Sequence, residues 1–325
     1  RVMRAVRELD YHPNTAARSL ASPVLRTVGV LFRRQRSTID ANDLDYVDGI
    51  RRALEPSGLQ VVVPIMTSSA PLIELRSLVR SGSLGGVILM DVSQGDEREA
   101  MLLEEKIPTV LIGSSGCTVG APGVDTDFAQ MAHEAVEHLA GLGHRRIVAL
   151  MRETSADDAH ARQDQAQELL HAAVDLGVDV LVRQVPEAPL AGADIVGAKG
   201  LIEGCSAVVS NNPAALVGLA CAAQAHGLSI PADLSVLTLG VTECRGRQGE
   251  SFSELSVDRE AMGAAAGSLL LARLRGEPDP VERRRLMPAF LRDRGSTARY
   301  RSRGADAKPP GSSHDLPDST VSVRR

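Results

Sequence analysis

What this 325-residue chain has little of narrows its function first. Tryptophan is absent, and three tyrosines and four phenylalanines bring the aromatic fraction to 2%. That is thin for a protein that stacks sugar rings or bases. No apolar run reaches the roughly 18 residues a membrane helix needs, so a spanning helix is excluded. No basic segment followed by an apolar core opens the chain as a secretion signal would. Cys117, Cys205, Cys221 and Cys244 form no CxxC pair, which points to free thiols in a reducing cytoplasm and not to a disulfide framework or a zinc site. No glycine-rich phosphate loop follows a candidate strand, and no GxSxG elbow or Ser/His/Asp set stands out. His133 and His138 are five residues apart, which puts their imidazoles about 140° apart around a helix and unable to share one metal. These absences argue against an enzyme, and neither a cofactor nor a metal is expected.

The length suggests about two domains, and 43% apolar with 24% charged residues is ordinary for a globular chain. The overall charge of −5 is unevenly spread. Residues 1–36 hold eight arginines against Glu8 and Asp10, a local charge of +6, which leaves −11 for the remainder. A basic arm on an acidic body fits a phosphate-binding head or a solvated basic tail.

Val2, Val6 and Leu9 fall on one helical face, and Pro13 breaks that helix. A second short helix fits residues 15–21, capped by Asn14 and ended by Ser22-Pro23. From Arg26 onward, short apolar runs read as strands at 28–32, 61–65, 87–90, 110–112, 147–151, 178–182, 207–210 and 236–239. Amphipathic stretches at about 44–55, 71–82, 95–105, 127–142, 159–176 and 213–227 separate most of them. Continuous apolar strands alternating with helices predict parallel sheets covered on both faces. Their distribution about Gly143 predicts two similar α/β lobes, with a ligand cleft at the carboxyl ends of the strands. The small residues of 213–227 suit either a core or a dimer interface. Residues 296–325 carry almost no apolar side chains and are expected to be disordered.

The segment from Tyr11 through Pro13, Asn14, Ala16, Ala17 and Arg18 to Leu20 closely resembles the YxPNxxARSL hinge of the LacI/GalR family of bacterial transcription regulators. Residues 26–31 resemble the family's first core strand. Val124-Asp125-Thr126 resembles its VDN segment, with Thr for Asn, and 138–147 resembles HLxxLGHRRI. Residues 228–240 resemble the VPxDVSVVGFDD stretch, and 288–297 the closing LPxxLVxRxST. The six matches stand in family order across residues 1–298.

The resemblance implies an α/β fold: a two-lobed, type I periplasmic-binding-protein-like effector domain with parallel sheets, preceded by an all-α DNA-binding head and a hinge helix. The chain starts within the last helix of that head, so the base-reading helix is missing from this sequence. The implied domains are 1–22 for the partial head and hinge, 26–146 plus about 258–276 for the first lobe, 147–257 plus about 282–294 for the second, and 296–325 for the tail. The implied function is that of a cytoplasmic, homodimeric DNA-binding regulator, in the repressor sense, whose small-molecule effector controls hinge insertion into the operator minor groove. The alternative is a solute-binding protein with the same two lobes. For the hinge, the implied DNA contacts are Asn14, Ala16, Ala17, Arg18 and Leu20. Leu20 is the minor-groove wedge. For the cleft, the implied effector contacts are Asn42, Asp43, Asp125, Arg162, Asn212 and Thr242. Asn42-Asp43 replace the usual aromatic pair, Gln165 and Ala166 replace a Gly and an aromatic, and GFDD is lost at 240–243. A plain sugar site is therefore not expected, and the reading is either a different small polar effector or a decayed site.

Overall fold

A computed structural model describes residues 27–33, 41–64, 70–153, 160–197, 204–241 and 251–301, excluding the side chains of 41, 42, 160–163 and 197. In chain order the elements are β1 (Thr27–Leu31), α1 (Ala41–Leu54), β2 (Gln60–Val62), α2 (Pro71–Arg80), β3 (Gly86–Leu89), α3 (Glu97–Glu104), β4 (Thr109–Ile112) and β5 (Gly123–Thr126). Then follow α4 (Phe128–Gly141), β6 (Arg146–Arg152), α5 (His160–Leu176), β7 (Asp179–Val185), α6 (Pro189–Gly197), β8 (Ala207–Ser210), α7 (Pro213–Ala225) and β9 (Ser235–Leu239). The last are β10 (Ser253–Val257), α8 (Arg259–Leu274), β11 (Arg284–Met287) and β12 (Ala289–Arg292).

The strands form two six-stranded sheets, ordered β11-β5-β4-β3-β1-β2 and β12-β10-β9-β8-β6-β7. All pairings are parallel except that of β10 with β12. Strands β1, β3, β4, β8 and β9 are buried along nearly their whole length, as parallel strands covered on both faces must be. Side chains placed at helix starts satisfy the free N–H groups: Asp96, Asp127, Asn212 and Asp258 cap α3, α4, α7 and α8.

The chain passes between the lobes three times, at 126–128, 257–259 and 287–289. After the first passage α4 packs on α5, β10 and β12. After the second α8 returns to pack on α1 and β3–β5. Gly263 makes that return close: a Cβ there would collide with the backbone carbonyl of Tyr46 on α1.

Three details differ from the sequence reading. Residues 127–142, expected within the first lobe (26–146), form a helix on the second, because α4 buries Met131, Ala135, Val136 and Leu139 in the core it shares with α5. Strand β11, expected in the second lobe (282–294), pairs with β5 of the first, and only β12 joins the second. The expected disordered tail begins as ordered chain: Ser296 is 5% exposed and its hydroxyl donates to the Val236 carbonyl at 2.5 Å and accepts from the Ser253 N–H at 2.7 Å. His138 and His144 bond to Thr297 and Ala298. Backbone partners on β9 and β10 supply what the apolar-poor strap lacks. Residues 302–325 lie outside the described residues.

The small residues of α7 have a partner within the chain. Helix α7 packs on α6, and a Cβ on Gly218 would strike the Pro189 carbonyl, so this face serves close helix contact inside the second lobe.

Candidate effector site

A cavity of about 240 Å³ lies between the lobes. Its walls are the carboxyl ends of seven strands and the residues just beyond them: β3, β4 and β5 of one sheet, β6, β8, β9 and β10 of the other. Parallel α/β sheets place ligands there because strand ends and helix starts meet at that edge. Two of the three passages between the lobes, at Thr126–Phe128 and Val257–Arg259, also line it, so a molecule held here touches segments that join the lobes.

Two of the effector residues expected from the sequence line the cavity. Asp43 reaches it from the first turn of α1 and Asp125 from β5. Asp125 is 3% exposed. One of its carboxylate oxygens accepts from the Thr126 N–H at 2.8 Å, and the other from Arg284 on β11 at 2.7 and 3.1 Å. Burial pushes the Asp125 pKa up, and the Arg284 charge offsets this only in part. The same guanidinium lies 3.5 Å from Asp164 on α5. Arg284 thus joins a carboxylate of the first lobe to one of the second.

Asn212 is not a cleft residue. It is fully buried, caps α7 by accepting from the Ala215 N–H, and donates to the carbonyls of Val185 and Pro186. Pro213 at the first helical position fixes this role, since the residue before it is the cap. The neighbouring Asn211 lines the cavity instead. Its amide donates to Gln165 at 2.8 Å and its oxygen accepts from the Arg152 backbone N–H at 2.8 Å. Asn42 and Arg162 fall on α1 and α5, but their side chains lie outside the described residues, as do Thr242 and all of Asn14, Ala16, Ala17, Arg18 and Leu20.

The sequence reading missed several lining residues. Tyr46 stands one turn after Asp43 on α1, and burial in the cleft wall pushes its hydroxyl pKa up to about 12 against the pull of Arg259. Arg259 opens α8, is 7% exposed and donates to the Gly240 carbonyl at 2.6 Å. Asp258, a capping type ahead of an apolar-periodic run, was the signal for that helix start. Arg152 ends β6, and its guanidinium lies 3.3 Å from Glu187. Asp91 follows β3 with φ 50°, a left-handed backbone that non-glycine residues keep only where surroundings impose it. The surroundings are explicit. Buried Arg98 donates to the carbonyls of Met90 at 2.9 Å and Asp91 at 3.1 Å, and is itself held by the Asp96 carboxylate at 2.8 and 3.0 Å. These ion pairs pull the Asp96 pKa down despite its burial, the largest opposing influence.

Among the described residues, no group of three or more His, Cys, Asp or Glu is arranged to hold a metal ion. His133 and His138 point to different partners, Glu137 and Thr297. Among the same residues no helix is long and apolar enough to cross a membrane.

Residues 136–297 match the model of the periplasmic binding protein-like domain. Catabolite control protein A of Priestia megaterium is 24% identical over 279 residues, spanning 83% of this chain and 81% of that protein. These matches support reading the chain as a LacI-family regulator. The HTH-type transcriptional regulator CelR of Thermobifida fusca is 25% identical over 86% of this chain and 84% of its own. A solved lac repressor dimer, bound to operator and the anti-inducer ONPF, superposes with a TM-score of 0.74 at 21% identity, covering 91% of this chain and 89% of that one. Similarity to named transcriptional regulators favours a regulator over a solute-binding protein with the same two lobes.

Proposed function

We propose that the chain is a cytoplasmic, homodimeric repressor whose DNA affinity is set by a small polar effector in the inter-lobe cavity. The observation that carries the cleft half of this reading is the placement of the cavity against two of the three inter-lobe passages. A ligand there has different contacts in open and closed lobe arrangements, and only such a difference shifts a two-state equilibrium. Coupling of this kind is typically about 1–3 kcal/mol, or 5–150-fold in DNA affinity.

The DNA half rests on the hinge motif and on the family. A seven-residue stretch such as 14–20 could span at most about two helical turns, too short to hold as an isolated helix, so two hinges ordering each other on DNA is the economical arrangement. Leu20 wedges into a base step, Ala16 and Ala17 allow close approach, and Arg18 meets phosphate, with unstacking offset by the contacts a bent duplex permits. The test begins with chromosomal fragments selected by the complete protein, base-reading helix included. In a shift titration on the tightest of them, Leu20→Ala weakens binding by about tenfold or more, equivalent to about 1.4 kcal/mol. Equal affinity of the variant and the parent contradicts the reading.

A further inference from the structure

We propose that the cavity effector is a small zwitterion of the α-amino-acid class with an apolar side chain, recognised through its ammonium by Asp91 and through its carboxylate by Arg152 and Arg259. This deepens the effector reading above and rests on it.

Three observations converge. The first is the sorting of charge. The carboxylates of Asp43 and Asp91 come from the first lobe and Arg152 from the end of β6 in the second, while Arg259 opens α8 between Tyr46 of the first lobe and Gly240 of the second. A ligand reaching from Asp91 to Arg152 therefore meets a carboxylate on one lobe and a guanidinium on the other. Guanidinium matches carboxylate in a planar, two-bond geometry. Asp125 is engaged by Arg284, and Arg152 pairs with Glu187 at 3.3 Å, so a ligand carboxylate would join an existing ion pair there.

The second is Asp91 itself. Among the described residues its carboxylate makes no hydrogen bond or ion pair, while its backbone is clamped in a left-handed conformation by buried Arg98. A charged group presented rigidly and left open to a ligand is what a binding site requires. The third is size and texture. About 240 Å³ corresponds to roughly eight waters at liquid volume, below the usual range of drug-sized pockets. Between the charged ends the lining is aliphatic and thioether, from Met90, Ile112, Met131, Leu239 and Met262. Methionines adapt to an apolar side chain of variable shape. The amides of Gln165 and Asn211 are bonded to each other, and the aromatic faces on which sugar rings stack are few among the lining residues.

The test is isothermal titration of the full chain with the proteinogenic amino acids singly, and with glucose and cellobiose for comparison. The expected result is saturable micromolar binding of one or more apolar amino acids, with both sugars weaker by tenfold or more. N-acetylation of the best ligand, and separately its conversion to the primary amide, each weakens binding at least tenfold. Asp91→Asn tolerates the left-handed backbone; it removes the penalty for N-acetylation and leaves that for amidation, whereas Arg152→Gln does the reverse. A merely structural role for either residue leaves both ratios unchanged. The proposal is overturned if no amino acid binds, if a sugar binds more tightly, if blocked and free forms bind alike, or if Asp91→Asn leaves the acetylation penalty intact. Failure here with intact binding of the selected DNA removes only the ligand class. Failure to select any DNA removes the regulator reading, whatever the cavity binds.

Discussion

The ion pair between Asp125 and Arg284 sets up an asymmetry that mutation exposes. Asp125 is 3% exposed, and Arg284 is 42% exposed at its side chain. Arg284→Ala leaves a buried carboxylate that still accepts from the Thr126 N–H. Removing one member of a fully buried pair costs about 3–5 kcal/mol. The exposure of Arg284 lets solvent reach the gap, so about 1–3 kcal/mol is expected, or a fall in Tm of about 2–4 °C for each kcal/mol. Asp125→Asn behaves differently. Burial already pushes the Asp125 pKa above its ordinary 3.8, so the folded protein favours the neutral side chain, and Asn keeps an oxygen for the Thr126 N–H. Its expected cost is about 0–1 kcal/mol of either sign. In the double variant the loss of Arg284 then adds little, giving a coupling of about 1–3 kcal/mol.

The pH dependence follows the same sign. A raised native pKa means that the folded state holds its proton longer than the unfolded one, so Asp125 withdraws stability as pH rises from about 3.8 through its native pKa. Without Arg284 that pKa rises further, and the deficit of Arg284→Ala grows above pH 4 and shrinks below it. Denaturant unfolding of the four proteins at several pH values reads the cycle. Additive losses, or a deficit in Arg284→Ala that is flat with pH, refute the reasoning.

Other outcomes follow from the described contacts. His144 accepts from Ser206 at 2.7 Å and donates to the Ala298 carbonyl at 3.0 Å, and burial lowers its pKa and that of His138. A lowered histidine pKa costs stability as pH falls below the unfolded value of about 6.5, so hydrogen exchange in 296–300 accelerates as pH falls through that value, beyond the intrinsic pH effect on exchange. Asn212→Ala removes a cap and two carbonyl partners; it lowers stability by about 1–3 kcal/mol in thermal unfolding while the cavity's affinity for its ligand changes less than threefold. Gly218→Val drives α7 off α6 and costs about 1–3 kcal/mol or more, again read by Tm.

Much of the architecture was legible because β1, β3, β4, β6, β8 and β9 are buried on both faces and so read as unbroken apolar runs. Strand β5 was not, since Gly123 and Asp125 interrupt its short run and the neighbouring strands supply its burial. Strand β10 hides a fully buried Glu254, which Arg292 and Arg294, far along the chain, help to balance. Strands β11 and β12 are short and rich in exposed residues, and their assignment to opposite sheets is a matter of tertiary pairing. In the cleft, Asp43 and Asp125 were found through the resemblance. Asp91, Arg152 and Arg259 stand apart in sequence and converge only because every strand ends at the same edge. Asn211 was lost by one position, though Pro213 held the clue.

The most direct test of the whole account is chromatin immunoprecipitation of the tagged protein from cells that carry its gene. A two-fold dimer inserting paired hinges predicts discrete peaks over pseudo-palindromic sites, with occupancy lowered at the same sites for Leu20→Ala. Uniform background over the chromosome, or peaks unchanged by that substitution, contradicts it.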